Sequence, residues 1–153
     1  NKTTETKTTV NPHRRSFVTL VAGLGTILAT RSSAIAQHGQ GADRPLKIVF
    51  HVGEGEQWPY ALSNVRNLTE QYPSAVLRVI VDGSGVYELS GTSDVVAQLA
   101  PFAAKGVQVQ ACHNALRDKK IDPAAVPKFV SVIPAGVVGL AQSQYEGYAY
   151  IRP

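Results

Sequence analysis

Short apolar runs alternate along this chain with longer segments whose apolar residues recur every three or four positions. The short runs are rich in Val and Ile and have the length of buried strands, whereas the longer segments have the pattern of helices that bury one face. Strands and helices that alternate at this spacing predict an α/β fold with a largely parallel sheet covered on both faces. The strands are expected at residues 46–52, 75–81, 107–112, 129–133 and 148–151.

Local signals mark where the helices begin and end. Pro59 stands at the start of the first helix, where its missing N–H costs nothing, and this helix runs to Tyr72. Ser93 can cap the second helix, and Gly106 ends it in the left-handed conformation. Pro101 lies inside the second helix and is expected to kink or divide it. Two further helices are expected at residues 113–120 and 134–144.

The first 36 residues have the organisation of an export signal. A polar start is followed by Arg14-Arg15, then by Phe17 and an apolar stretch over residues 18–29. Small residues at the end of the segment predict cleavage after Ala36. The Arg pair and the Phe resemble a twin-arginine signal, which exports proteins that have already folded. An ordinary secretion signal with a chance Arg pair and a retained membrane anchor are the alternatives.

This interpretation divides the chain into three parts. Residues 1–36 are the signal, residues 37–45 are a Gly-rich flexible leader, and residues 46–153 are one α/β domain. The length suffices for one hydrophobic core and not comfortably for two. The expected location is the bacterial periplasm, without a stable membrane span after signal cleavage, because the apolar stretch is short and rich in Gly and Thr.

The formal charge of +4 and the pI of about 9.3 would suit a nucleic-acid-binding protein, but the charge is unevenly placed. Residues 1–36 contain five basic residues and one acidic residue, whereas the rest of the chain contains ten of each. The predicted mature protein therefore lacks the excess positive charge with which proteins bind phosphate backbones. No nucleic-acid partner is expected.

Cys112 is the only cysteine and ends the third predicted strand, at the carboxyl edge where ligands gather in open α/β sheets. A helix that begins at the next residue would direct unpaired N–H groups at the sulfur and favour the thiolate. A single cysteine forms no internal disulfide, so this thiol is the candidate catalytic group. The alternative is an inert buried cysteine. No metal site is expected, because the cysteine and the four histidines show no ligand spacing.

Other polar residues are expected at the same edge as Cys112. His51 ends the first strand, Glu54 lies in the loop that follows, and His113 and Asn114 come directly after the cysteine. They are candidate binding or acid–base residues, and a hydrogen-bonded histidine beside solvated carboxylates is the ordinary alternative. A tight glycine loop after the second strand can offer backbone N–H groups to an anion, or it is a plain turn. Its candidate residues are Gly83, Ser84 and Gly85.

Taken together, several of these segments resemble the DsrE/DsrF-like family. They are residues 47–52, 82–86, 106–116, 132–137 and 144–153. The resemblance covers residues 46–153 and implies a three-layer α/β/α sandwich on a five-stranded sheet, with assembly into homotrimers or hexamers. In the family's sulfur-relay members, a cysteine at the end of the third strand carries sulfur as a persulfide. Cys112 matches that cysteine through a Cys-x-Asn pattern.

The leading hypothesis is an exported sulfur-handling protein, a persulfide carrier or sulfurtransferase-like enzyme, in which Cys112 holds the sulfur. The expected partners are further copies of the chain and a sulfur donor or acceptor protein or small ligand, and no cofactor is expected. One alternative is a non-catalytic binding module that uses the same edge. Another is an assembly protein, in which Tyr145, Tyr148 and Tyr150 form an aromatic contact patch, although core packing explains these three residues equally well.

Overall fold

Strands and helices alternate in the computed structural model, which describes residues 44–153. The strands are β1 (Lys47–Val52), β2 (Val76–Val81), β3 (Gln108–Cys112), β4 (Val130–Ile133) and β5 (Ala149–Ile151). The helices are α1 (Trp58–Gln71), α2 (Asp94–Ala104), α3 (His113–Asp118) and α4 (Gly136–Tyr145), with 3-10 turns at Gly55–Gln57, Gly83–Leu89 and Pro123–Ala125. The predicted signal, its cleavage site and residues 37–43 of the leader lie outside the described residues.

The five strands form one sheet in the order β4-β3-β2-β1-β5, and every neighbouring pair is parallel. This confirms the predicted α/β class and makes the sheet fully parallel. Val52 pairs with Val81, Val81 with Ala111, and Cys112 with Ile133. The ends of β1 to β4 therefore meet along one carboxyl edge, which is the usual position of a ligand site in open parallel sheets.

The larger hydrophobic core lies between one face of the sheet and helices α1 and α2. Alternate strand residues such as Phe50, Val79 and Val109 face this side, because successive side chains of a strand point to opposite faces. The helices contribute buried residues at helical spacing, including Val65 of α1 and Leu99 of α2. Cys112 belongs to this core and is 6% exposed.

A smaller core lies on the opposite face, which α4 covers. Val49 and Ile80 come from the sheet, and Leu140 and Tyr148 pack against them. Tyr148, predicted as part of an aromatic contact patch, is 7% exposed, so it belongs to this core rather than to the surface. The guanidinium of Arg78 lies 4.4 Å from the centroid of the Tyr148 ring, which adds a cation–π contact. The sheet is therefore the middle of three layers, with unequal cores.

The predicted start and end of α2 agree with the structure, and of the two effects expected of Pro101 the division of the helix is wrong. Ser93 caps α2 by accepting the N–H of Val96, and Gly106 has the left-handed φ of 97°. Pro101 does not divide α2, which continues to Ala104. The carbonyl group of Ala97, which loses its N–H partner at Pro101, belongs to an exposed residue and can be hydrated.

The loop after β2 differs from the tight glycine turn that the sequence predicted. Gly83–Leu89 form a 3-10 segment of seven residues, and Val86 and Leu89 are buried in the larger core. The segment is thus a packed part of the domain as well as a connection.

Among residues 44–153, no helix combines the length and the apolar composition needed to cross a bilayer.

Candidate functional site

Cys112 lies where β3 passes directly into α3. It is the last residue of the strand and the N-cap of the helix, and its Sγ accepts the backbone N–H of Ala115 at 3.4 Å. Buried Leu116 occupies the next position of α3 and belongs to the same core. The sulfur therefore occupies a fixed position at the carboxyl edge, with a backbone donor directed at it and little exposure to solvent.

A second group of polar side chains lies along the same edge, on the face that α4 covers. His51, the fifth residue of β1, stands between two partners. Its Nε2 is 2.9 Å from Oδ1 of Asp82, and its Nδ1 is 2.8 Å from the hydroxyl of Tyr150. The strands β5, β1 and β2 are neighbours in the sheet, so three strands bring together residues that are distant in sequence. These three residues are called the His51 network below.

Two glycines leave room for the carboxylate of Asp82. A Cβ atom at Gly136, the first residue of α4, would lie 2.8 Å from Oδ2, and one at Gly53 would lie 3.2 Å from Oδ1. The carboxylate thus fits closely between the loop after β1 and the start of α4. A negative charge beside the N-terminus of a helix is favourable because the helix dipole is positive there.

Gln57 organises the loop that follows β1. Its Oε1 accepts the N–H groups of Gly53 and Glu54, and its Nε2 donates to the carbonyl of Pro153. The side chain is buried and all three contacts are local to the carboxyl edge. Gln57 therefore links the loop beside His51 to the end of the chain.

The predicted site residues have different positions and partners. Glu54 is exposed and pairs with Arg152 at 3.3 Å, while His113 and Asn114 are exposed at the start of α3.

The N–H groups of Ser84 and Gly85 donate to the carbonyl of Gly53 at 3.0 and 3.4 Å, so protein bonds already satisfy them. This leaves no support for these two N–H groups as anion donors, and corrects that expectation. The same bonds and the φ of 51° at Gly83 explain why glycines stand here.

The sequence predicted His51 as a candidate residue but not its partners. Both ring nitrogens of His51 bond to side chains other than Cys112, so the structure does not pair His51 with the thiol and agrees with the alternative of a hydrogen-bonded histidine. Asp82 and Tyr150 lie in segments that the sequence had assigned to a loop and to a contact patch. The only advance signal was that Asp82 directly follows β2 and therefore had to lie at the carboxyl edge.

Metal ligands are not clustered in the described part of the chain. Among residues 44–153, no three His, Cys, Asp or Glu side chains are close enough together to hold an ion. A cleft of about 540 Å³ opens at the opposite, amino-terminal edge of the sheet, beside Tyr72, Lys105 and Val107. Its lining contains no residue of the candidate site.

The fold and the site define an open-sheet α/β protein with one cysteine and one hydrogen-bonded His–Asp pair at the carboxyl edge of a parallel sheet. No protein-family model matches the chain, and the curated proteins contain no match. A solved structure from Methanobacterium thermoautotrophicum, the protein of unknown function MTH1491, is 33% identical over 71% of this chain and 99% of its own, with a TM-score of 0.67. The chain belongs to the same family as MTH1491.

Two further solved structures share the fold at lower identity. The ychN protein from E. coli is 17% identical, covers 72% of this chain and 100% of its own, and has a TM-score of 0.61. The conserved protein of unknown function BT1422 from Bacteroides thetaiotaomicron is 11% identical, covers 70% of this chain and 94% of its own, and has a TM-score of 0.58. At these identities the likeness extends to the fold alone.

Proposed function

We propose that this protein is a DsrE/DsrF-like sulfur carrier in which Cys112 holds the transferred sulfur. The observation that carries the proposal is the position of Cys112 Sγ at the β3–α3 junction, where the N–H of Ala115 is directed at it. The residues that follow complete the Cys-x-Asn pattern of the family resemblance with Asn114, which is exposed in the first turn of α3. A fixed sulfur with a backbone donor suits a group that has to exist as an anion during reaction.

The proposed reaction is a sulfur transfer between thiols. The Cys112 thiolate attacks the outer sulfur of a persulfide or polysulfide donor, the S–S bond of the donor breaks, and the donor leaves as a thiolate with the bonding electrons. Cys112 then carries one extra sulfur atom as a persulfide. An acceptor thiolate removes that sulfur in the same way and restores the Cys112 thiolate, so no external oxidant or reductant is consumed.

The burial of Cys112 limits which donors can react. At 6% exposure the residue is accessible to a narrow approach only, and it packs with Ala115 and Leu116 of the larger core. A small inorganic polysulfide should therefore react much faster than a bulky aromatic disulfide. The same burial would protect the bound sulfur from chance reduction by large thiols.

Mass spectrometry after treatment with sodium polysulfide tests the proposal. The wild-type protein should gain one sulfur atom on Cys112 and lose it to an added small thiol. His113→Ala is a matched control, because it changes the exposed neighbour and keeps the thiol. A wild-type protein that gains no sulfur, or a Cys112→Ala variant that gains the same amount, would refute the carrier role.

We also propose that the protein acts as a homo-oligomer, a trimer or hexamer, after export to the bacterial periplasm. The outer face of α4 supports self-association, because Val137 and Tyr145 are 70% and 93% exposed and stand eight residues apart on one side of the helix. Exposed apolar side chains on one face are typical of contact surfaces. Sedimentation of the protein at micromolar concentration tests this. A wild-type protein that sediments as a monomer, with the same sedimentation for the Val137→Lys variant, would contradict the proposal.

A further inference from the structure

The hydrogen bonds of the His51 network have one consistent direction. An ionised carboxylate only accepts, so Nε2 of His51 carries the hydrogen and donates to Asp82. In a neutral imidazole the other nitrogen then accepts, so the hydroxyl of Tyr150 donates to Nδ1. The direction from hydroxyl to imidazole to carboxylate is that of a nucleophile, a base and a group that orients the base.

The network is held in place at one end and open at the other. Asp82 fits between Gly53 and Gly136, and the side chains of His51 and Asp82 are only 19% and 26% exposed. Tyr150 lies on the edge strand β5 and is 39% exposed. The base is thus oriented from within the domain, while Tyr150, whose hydroxyl it contacts, is partly exposed to solvent.

We propose that Tyr150, His51 and Asp82 form a proton-transfer site for a small ligand that carries a hydroxyl or thiol group. The oxygen of Tyr150 takes the ligand proton as its own proton passes to Nδ1 of His51. The hydrogen on Nε2 remains bonded to Asp82, whose charge stabilises the imidazolium. The ligand leaves this step as an anion, and the reverse step returns the proton.

This proposal does not depend on the sulfur chemistry of Cys112. The residues belong to the face that α4 covers, and both nitrogens of His51 are bonded within the network. If the network were purely structural, Tyr150 would react as an ordinary phenol does, at a rate set by its exposure to solvent. Two more exposed tyrosines, Tyr60 at 68% and Tyr72 at 54%, provide internal standards for that comparison.

Labelling with an aryl sulfonyl fluoride tests whether the oxygen of Tyr150 is activated. In the labelling reaction Oη of Tyr150 attacks the sulfonyl sulfur, the S–F bond breaks, fluoride leaves with its electron pair, and His51 takes the phenolic proton. General-base assistance of this kind is worth about a hundredfold or more, so Tyr150 should be labelled at least roughly ten times faster than Tyr60. Peptide mass spectrometry gives the rate at each tyrosine in one sample.

Three variants separate the possible causes. His51→Asn should abolish the rate advantage of Tyr150, Asp82→Asn should reduce it, and Cys112→Ala should leave it unchanged. Labelling in the order of exposure in the wild-type protein would overturn the proposal without any variant, so a variant that fails to fold does not prevent the decision. Loss of the Tyr150 advantage together with normal sulfur loading of Cys112 would leave the carrier role standing, and the reverse result would leave this site standing.

Discussion

Two parts of the carboxyl edge use opposite physical means to hold their polar groups. At the β3–α3 junction, Cys112 is buried in the larger core, and its sulfur has one backbone partner. In the His51 network, three partly exposed side chains hold one another across three strands on the other face of the sheet. The thiol is positioned by packing and by the backbone, whereas the histidine is positioned by side-chain hydrogen bonds.

The two parts therefore depend on different interactions to keep their geometry. Burial places Cys112 wherever the core packs correctly, so its geometry should follow the stability of the larger core. The His51 network relies on a few specific contacts, so single polar substitutions should disrupt it while the core stays folded. The two parts should therefore respond to different mutations, although they share one edge.

The largest effect is expected at Gly83, in the loop that brings Asp82 to the edge. Gly83→Ala should destabilise the protein by roughly 4 kcal/mol, because the new Cβ would overlap the carbonyl oxygen of Gly53 and the φ of 51° is unfavourable for alanine. Chemical denaturation measures the loss. Gly55→Ala is the control, since its Cβ meets nothing within 4 Å, and a similar loss there would mean that the clash is not the cause.

The next effect concerns the packing beside Cys112. Leu116→Ala should cost about 3 kcal/mol, because it leaves a cavity in the larger core, to which Cys112 also belongs. The thiol should then react faster with a bulky aromatic disulfide, while labelling of Tyr150 should be unchanged. Leu46→Ala, at a leucine that is 46% exposed, is the matched control and should change the stability by less than about 0.5 kcal/mol. Equal thiol reactivity in Leu116→Ala and wild type would show that packing does not control access to Cys112.

The sequence predicted the buried part of the edge better than the polar network. Cys112 was found because one apolar run ends at it and a helical pattern begins, so local periodicity alone places it at a strand end. Tyr150 was left open between a contact patch and core packing, because nothing in its own segment shows that β5 pairs with β1 next to His51. The order of strands in the sheet is a property of the whole chain, and only it brings Tyr150, His51 and Asp82 together. The close fit of Asp82 against Gly136 likewise depends on the fold of the whole chain, because the two residues are distant in sequence.

A smaller effect is expected within the His51 network. Asp82→Asn should cost about 1–2 kcal/mol through the loss of a charge-assisted hydrogen bond to a partly buried histidine. The loss should not add to that of Tyr150→Phe, because both act through His51, whereas it should add to that of Cys112→Ser within about 0.5 kcal/mol. Two double-mutant cycles measured by chemical denaturation, one for Asp82 with Tyr150 and one for Asp82 with Cys112, give the two results. Strong coupling between Asp82 and Cys112 would contradict the separation of the two parts.

The smallest effect is expected at the exposed ion pair beside the network, between Glu54 and Arg152. Their side chains are 59% and 55% exposed, so water and salt screen the attraction, and Glu54→Gln should change the stability by less than about 0.5 kcal/mol. The change should disappear at high salt. Tyr150 labelling should be unaffected, because Gln57 still accepts the N–H groups of Gly53 and Glu54 in the loop next to His51. Gln57→Ala is the informative comparison, since it removes the acceptor of two N–H groups and the donor to Pro153. Slower Tyr150 labelling in Gln57→Ala but not in Glu54→Gln would show that buried hydrogen bonds position the network. The opposite result would assign that role to surface charge.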